Sequence, residues 1–158
     1  MTKTLPLFLA VLTAAVAQAP ADGKLTVAGQ TVKLTQAYAH LTKGFFDEKK
    51  DDIVVLLTDR ALTDAQVRDG FALRRLSEEG KLSFVQETIN STGQIVNFTV
   101  GNRAFKVSPS GGSTEHVFDG KRDAKTISGK VYTKGVQEFF GSKYEYAATF
   151  NVAIDARK

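Results

Sequence analysis

His40 and His116 are the chain's two histidines, and they limit the acid–base and metal chemistry that it can perform. Neither belongs to a His-x-His or His-Glu-x-x-His pattern, which would place two ligands on one metal ion. We therefore expect no metal site and no cofactor. Both imidazoles are weak catalytic candidates, but His40 is interpreted as a strand-end residue and His116 as a strand residue near Phe118.

Two serines, Ser110 and Ser113, offer the other route to chemistry. They lie in the glycine-rich stretch 108–114, and either Ser110 or Ser113, with His116 as its base, would form the core of a small hydrolase. There is no Gly-x-Ser-x-Gly motif, and no helix signal follows that would supply an oxyanion hole. The pattern favours a solvated connection between strands, and hydrolysis is the enzymatic alternative.

Two adjacent aromatic pairs, Phe45-Phe46 and Phe139-Phe140, are better candidates for binding than for catalysis. Neighbouring residues of a strand point to opposite faces, so one ring of each pair is a candidate for the surface. An exposed cluster of Phe46 with Phe139 or Phe140 would be a partner site. The alternative is that both pairs pack into the core. The predicted contact residues are Tyr38, Phe46, Phe139, Phe140, Ser110 and Ser113.

The first nineteen residues have the three parts of a cleavable signal peptide. Lys3 supplies the positive start, an apolar run follows from Leu5 to Ala17, and the small-x-small ending is completed by Ala19. The apolar run is shorter than the roughly 20 residues of a spanning helix and contains Pro6. We predict a signal peptide over 1–19 with cleavage after Ala19, and one domain over 20–158 that is periplasmic or secreted.

The amino-acid composition restricts the chemistry and the classes of partner expected for this domain. The 158-residue chain has no cysteine, which excludes disulfides and thiolate chemistry and is more typical of a bacterial than a eukaryotic secreted protein. Its net charge is +4, and acidic and basic residues alternate closely along the sequence. A nucleic-acid surface would need clustered positive charge, so nucleic acid is not the expected partner.

Hydrophobic periodicity predicts a mainly β domain. Every second residue from Tyr144 to Ile154 is apolar or aromatic, which is typical of an antiparallel strand with one buried face. A second strand over 31–41 should carry Val32, Leu34 and Tyr38 on one side. The run 53–57 is apolar on both faces and predicts a central strand. Further strands are expected at 24–27, 82–89, 94–100, 103–107, 115–118, 126–133 and 136–140.

One helix interrupts the strands. Thr63 and Gln66 have the spacing of a capping box, which predicts that a helix starts there. Gly80 is a suitable residue to end it, and Gly70 weakens its middle, where a bend is expected.

These patterns predict an antiparallel β-sandwich or a partly open β-barrel of about eight or nine strands with one inserted α-helix. We expect a non-enzymatic protein-interaction module, of the inhibitor or envelope-assembly type, whose partner is another envelope or extracellular protein. The alternatives are a small hydrolase and a carrier of a small ligand or lipid. The large residues Phe84, Phe98, Phe105, Phe118 and Phe150 indicate a filled interior, which disfavours a carrier.

Overall fold

The computed structural model describes residues 17–157, which form one curled antiparallel sheet with two short helices. Nine strands follow the order β6-β5-β4-β3-β2-β1-β10-β8-β7, and β9 pairs with β10 beside this path. The strands are β1 (Gln18–Val27), β2 (Gln30–Lys43), β3 (Asp51–Thr58), β4 (Phe84–Ile89), β5 (Ile95–Gly101), β6 (Ser110–Gly111), β7 (His116–Arg122), β8 (Thr126–Thr133), β9 (Gln137–Phe139) and β10 (Ser142–Asp155).

The sheet curls into a half-barrel, which confirms the partly open barrel of the two predicted architectures. Its concave side holds the main core, to which β3 contributes Ile53, Val55 and Leu57, and β10 contributes Tyr144 and Tyr146 with the alternate residues that follow. The alternation along β10 is therefore the inward-facing pattern that the sequence predicted.

Two helices, α1 (Asp64–Arg68) and α2 (Gly70–Glu78), cover the convex face at its centre. The second apolar cluster lies beneath them, and it includes Leu56, Leu73 and Phe84. β3 is therefore covered by apolar side chains on both faces, which confirms the prediction made from its continuous hydrophobic run. The Thr63–Gln66 capping box is present, and the helix breaks at Asp69, one residue before the predicted bend.

Two predictions about the strands are wrong. Val32 and Leu34 pack towards the barrel core, whereas Tyr38 packs beneath the helices. The pairing of β1 with β2 shifts by one residue between Pro20 and Gly23, and such a shift changes which residues of a strand share a face.

The segment 103–107 is a turn region instead of a strand. The Asn102 side chain accepts a hydrogen bond from the Ala104 N–H at 2.8 Å, and the Asn102 carbonyl accepts one from the Phe105 N–H at 3.1 Å. Asparagine side chains compete with a strand ladder by making such local turns.

Candidate functional site

The half-barrel does not close, and its open side is the candidate functional site. The terminal strands of the sheet are β6 and β7, and a cleft of about 770 Å³ lies where β5 faces β7. We call it the seam cleft. Among the described residues, none of the Asp, Glu, Lys or Arg side chains that are common elsewhere in the chain lines it. It is lined by Phe46, Gly93, Gln94, Ile95, Val96, Gly112, Ser113, Thr114, His116, Val117 and Phe118.

Several elements position this lining. The β2–β3 loop contributes Phe46, the β4–β5 turn and the start of β5 form one wall, and β7 forms the other. The chain between β6 and β7 crosses the open side and brings Ser113 to the cleft. Three sequence candidates, Phe46, Ser113 and His116, are therefore close together although they are distant in sequence.

A buried polar cluster lies behind the cleft. Glu87 of β4, His116 of β7, and Tyr144 and Tyr146 of β10 point into the barrel interior. The Glu87 Oε1 lies 3.2 Å from the His116 Nδ1, and the Tyr144 hydroxyl lies 3.0 Å from the His116 Nε2. The Tyr146 hydroxyl donates to Glu87 and lies 2.9 Å from the His116 Nδ1. The Phe98 ring covers the imidazole, with 3.8 Å between centroids.

Burial governs the ionisation of Glu87, Tyr144 and Tyr146. It raises the pKa of the Glu87 carboxyl, while hydrogen bonds from His116 and Tyr146 act in the opposite direction. Burial and the nearby Glu87 raise the pKa of Tyr144 to about 12, and they hold the pKa of Tyr146 well above its usual value. Within residues 17–157, the buried Glu87 Oε2 has no hydrogen-bond partner, which disfavours the charged form of this carboxyl further.

The cluster joins β4, β7 and β10 through side-chain contacts. The side chain of His116 is 1% exposed, and interior oxygens lie within hydrogen-bond distance of both ring nitrogens. The Ser113 Oγ accepts a hydrogen bond from the Glu115 N–H at 3.0 Å. No hydrogen bond joins Ser113 to His116 within residues 17–157, so the Ser–His pair that a hydrolase would require is not formed in this structure.

The two aromatic pairs do not form one patch. Phe46 follows β2 at the end where Lys43 pairs with Asp51. Phe140 precedes β10 near the opposite end of β2, beside the β1–β2 turn. The 14 residues of β2 separate these ends by about 40 Å. Phe46 is 79% exposed and Phe140 is 74% exposed, so each can contribute only to a separate surface.

The other predicted contacts have different positions. Tyr38 is 1% exposed, and its hydroxyl accepts a hydrogen bond from the Leu62 N–H, so the prediction that it contacts a partner is wrong: it is a core residue. Phe139 is partly buried against the barrel core and contacts the Phe140 ring. Ser110 belongs to β6, where it pairs with Thr99.

His40 lies away from the seam cleft. It lines a separate hollow together with Lys43, Arg68 and Arg157. Burial and the nearby Arg68 lower its pKa to about 4, although Asp155 acts in the opposite direction. The neutral imidazole is therefore the expected form at pH 7. Among the described residues, no group of three or more potential metal-ligating side chains is present.

Sequence reasoning missed Glu87, the residue that links the two sides of the barrel interior. The signal was available, because Val85, Glu87 and Ile89 are alternate residues of one strand and so share a face. A carboxyl group between two apolar residues on an inward face must find polar partners. The sequence does not reveal that those partners come from β7 and β10.

Comparisons with known protein families, with curated proteins and with solved structures find no match for this chain. In the part of the chain that the structure describes, no helix combines the length and apolar character needed to cross a membrane.

Proposed function

We propose that this protein is a non-enzymatic binding module, which holds another envelope or extracellular protein at the seam cleft. The observation that carries this proposal is the exposed Phe46 ring on the rim of a cleft without charged side chains. Interfaces characteristically place aromatic anchors beside apolar hollows and deplete their centres of charge.

The loop that carries Phe46 is held in place before any partner arrives. The Asp52 carboxylate accepts a hydrogen bond from the Phe45 N–H at 2.8 Å, and the Lys50 N–H donates to the Asp47 carbonyl at 3.0 Å. The Phe45 and Phe46 rings meet edge to face at 4.9 Å. A loop ordered in this way loses less conformational freedom on binding, which favours affinity.

The alternatives receive less support. A hydrolase would need His116 to approach its substrate, yet this imidazole is enclosed by Glu87, Tyr144 and Phe98. A carrier would need space inside the half-barrel, yet large inward-facing side chains such as Phe98 and Phe150 pack there. A protein partner at the rim of the cleft requires neither access to His116 nor an internal cavity.

The proposed location, periplasmic or secreted, rests on the signal-like residues 1–19, most of which lie outside the described residues. Gln18 and Ala19 belong to β1 and pair with Tyr38 and Ala37. Cleavage after Ala19 would leave Pro20–Val27 of this strand in place. Sequencing the N-terminus of the protein recovered from its native host tests the cleavage position.

The binding proposal is tested by affinity capture from native envelope and secreted fractions. The bait is the full chain with a C-terminal tag, expressed with its own N-terminal segment. Phe46→Ser should lose a stoichiometric, salt-resistant partner, because it removes the aromatic anchor. Phe140→Ser is the matched control, since it removes an equally exposed ring at the other end of β2 and should retain the partner.

Both variants should unfold at the same urea concentration as the unmodified protein, because neither ring is buried. Capture of no stoichiometric protein by a folded bait would contradict the proposal. Equal capture by the Phe46→Ser variant would also contradict it.

A further inference from the structure

The outer edge of β7 borders the seam cleft at His116, Val117 and Phe118, but the residues that follow them in this strand do not line the cleft. Within the described residues, β7 pairs only with β8, so the backbone groups along its other edge have no strand partner. Asp119, Gly120 and Lys121 are exposed in succession along this strand. An unpaired edge of this kind is a template for pairing with another strand.

The charged residues on this edge can pair with those of the same edge in a second copy of the chain. If a second β7 pairs antiparallel with Gly120 opposite Gly120, each Asp119 lies directly opposite a Lys121 of the other copy. The neighbouring registers that keep the same faces aligned place Asp119 opposite Asp119, or Lys121 opposite Lys121. Opposite charges directly across a sheet stabilise pairing and like charges oppose it, so the pattern selects the Gly120-centred register.

We infer that two copies of this chain form a twofold symmetric dimer through β7, with Gly120 on the axis. The two half-barrels then share one continuous antiparallel sheet, and each copy presents the same surface to the other. The same strand lines the seam cleft at His116, Val117 and Phe118, but Asp119, Gly120 and Lys121 do not line it. The dimer is therefore centred on a different part of β7 and does not rest on the proposed function.

The neighbouring strand supports this register. Within its own chain, Lys121 faces Ser128 across the β7–β8 ladder, and that residue carries no charge. Asp119 faces Lys130. In the dimer, Lys121 lies opposite Asp119 of the other copy. Asp119 then lies between Lys130 of its own chain and Lys121 of the other copy.

The edge is also held in position. The Arg122 side chain donates to the Asn90 carbonyl at 2.8 Å, which anchors the end of β7. The ring of Phe118 lies over Gly120, where an added Cβ would come within 2.7 Å of it. A restrained strand loses less freedom when it pairs with a second copy.

Sedimentation equilibrium of the full chain over a range of concentrations tests the dimer. Lys121→Asp places like charges opposite each other twice in the dimer and should raise the dimer dissociation constant about tenfold or more. The double variant Asp119→Lys with Lys121→Asp restores opposite charges and should recover dimerisation. Lys143→Asp makes the same change of charge at an exposed site on β10 and should leave it unchanged.

A monomer at all concentrations would overturn the inference, as would a dimer that is insensitive to Lys121→Asp or is not rescued by the double variant. Phe46→Ser should dimerise normally. Loss of the captured partner with an intact dimer, or the reverse, therefore distinguishes the two proposals.

Discussion

Glu87 shows how one residue can depend on contacts from several strands. Its carboxyl is fully buried, and its partners are His116 on β7 and Tyr146 on β10. Replacing Glu87 with Leu removes the acceptor that the Tyr146 hydroxyl and the His116 imidazole share, and leaves them with only each other and Tyr144 as partners. Each hydrogen bond lost costs about 0.5–1.5 kcal/mol. Glu87→Gln keeps the shape and the hydrogen-bonding capacity.

The stability contributed by Glu87 should fall as pH rises. Burial raises its pKa above the value of 4.5 expected for an unfolded chain. The unfolded chain therefore releases this proton at a lower pH than the folded protein, and stability is lost as pH increases from about 4.5 through the raised pKa. Tyr144, Tyr146 and His116 face the carboxyl and remain in the variant.

Urea denaturation of the unmodified protein and of Glu87→Gln, between pH 4 and pH 8, measures this effect. The free energy of unfolding of the unmodified protein should decline relative to that of the variant as pH rises, because glutamine does not titrate. Glu87→Leu should be less stable than both at pH 4. A difference between the unmodified protein and Glu87→Gln that is constant with pH would show that Glu87 has the same pKa in both states.

The helical elements follow local rules that the sequence states directly. The hydroxyl of Thr63 accepts a hydrogen bond from the Gln66 N–H, and the Gln66 side chain reaches back to the Thr63 N–H. Asp69 ends α1 and caps α2 by accepting from the Phe71 and Ala72 N–H groups at 3.0 Å. Such contacts span at most three residues, which is why the capping box was predictable.

Two glycines should respond in opposite ways to substitution by alanine. At Gly70, the first residue of α2, an added Cβ meets nothing within 4 Å, so Gly70→Ala should raise the free energy of unfolding by about 0.4–1 kcal/mol by restricting the unfolded chain. At Gly23, the Cβ would lie 2.2 Å from the Ala148 Cβ, across the β1–β10 pair. Gly23→Ala should therefore be destabilising, by about 1–3 kcal/mol.

Thermal and urea unfolding of the two variants check this prediction, and each variant serves as the control for the other. Destabilisation by Gly70→Ala would mean that the break between α1 and α2 needs glycine itself. An unchanged stability for Gly23→Ala would mean that β1 and β10 can separate without cost.

The whole molecule depends on side chains that cross the open side of the sheet. No backbone ladder joins β7 to β5 within residues 17–157, and the two sides are linked by the Glu87–His116 contact and by Arg122. The guanidinium donates to the Asn90 carbonyl at 2.8 Å and to the Asp51 carbonyl at 3.3 Å. These contacts join β7 to the ends of β3 and β4.

Arg122→Ala should therefore increase local opening of β7 and β8 more than that of β3. Amide hydrogen exchange in β7 and β8 should accelerate about tenfold, which corresponds to the loss of a hydrogen bond to a charged group. The amides of β3 should change less. Lys125→Ala, at an exposed position nearby, is the matched control. Uniform acceleration in all strands would show that the open side and the rest of the sheet unfold as one unit.

The amino-acid sequence alone was sufficient to predict the β class, the central position of β3, the inward face of β10 and the capping box at Thr63, because periodicity and capping act over a few residues. It also selected Phe46, Ser113 and His116 by residue type. The tertiary structure determined that these three residues lie at one cleft. It placed Phe46 and Phe140 at opposite ends of β2, buried Tyr38 beneath the helices, and gave Glu87 partners from two other strands. Those outcomes depend on strand register and on the curl of the sheet, which arise from contacts between distant parts of the chain and leave no local pattern.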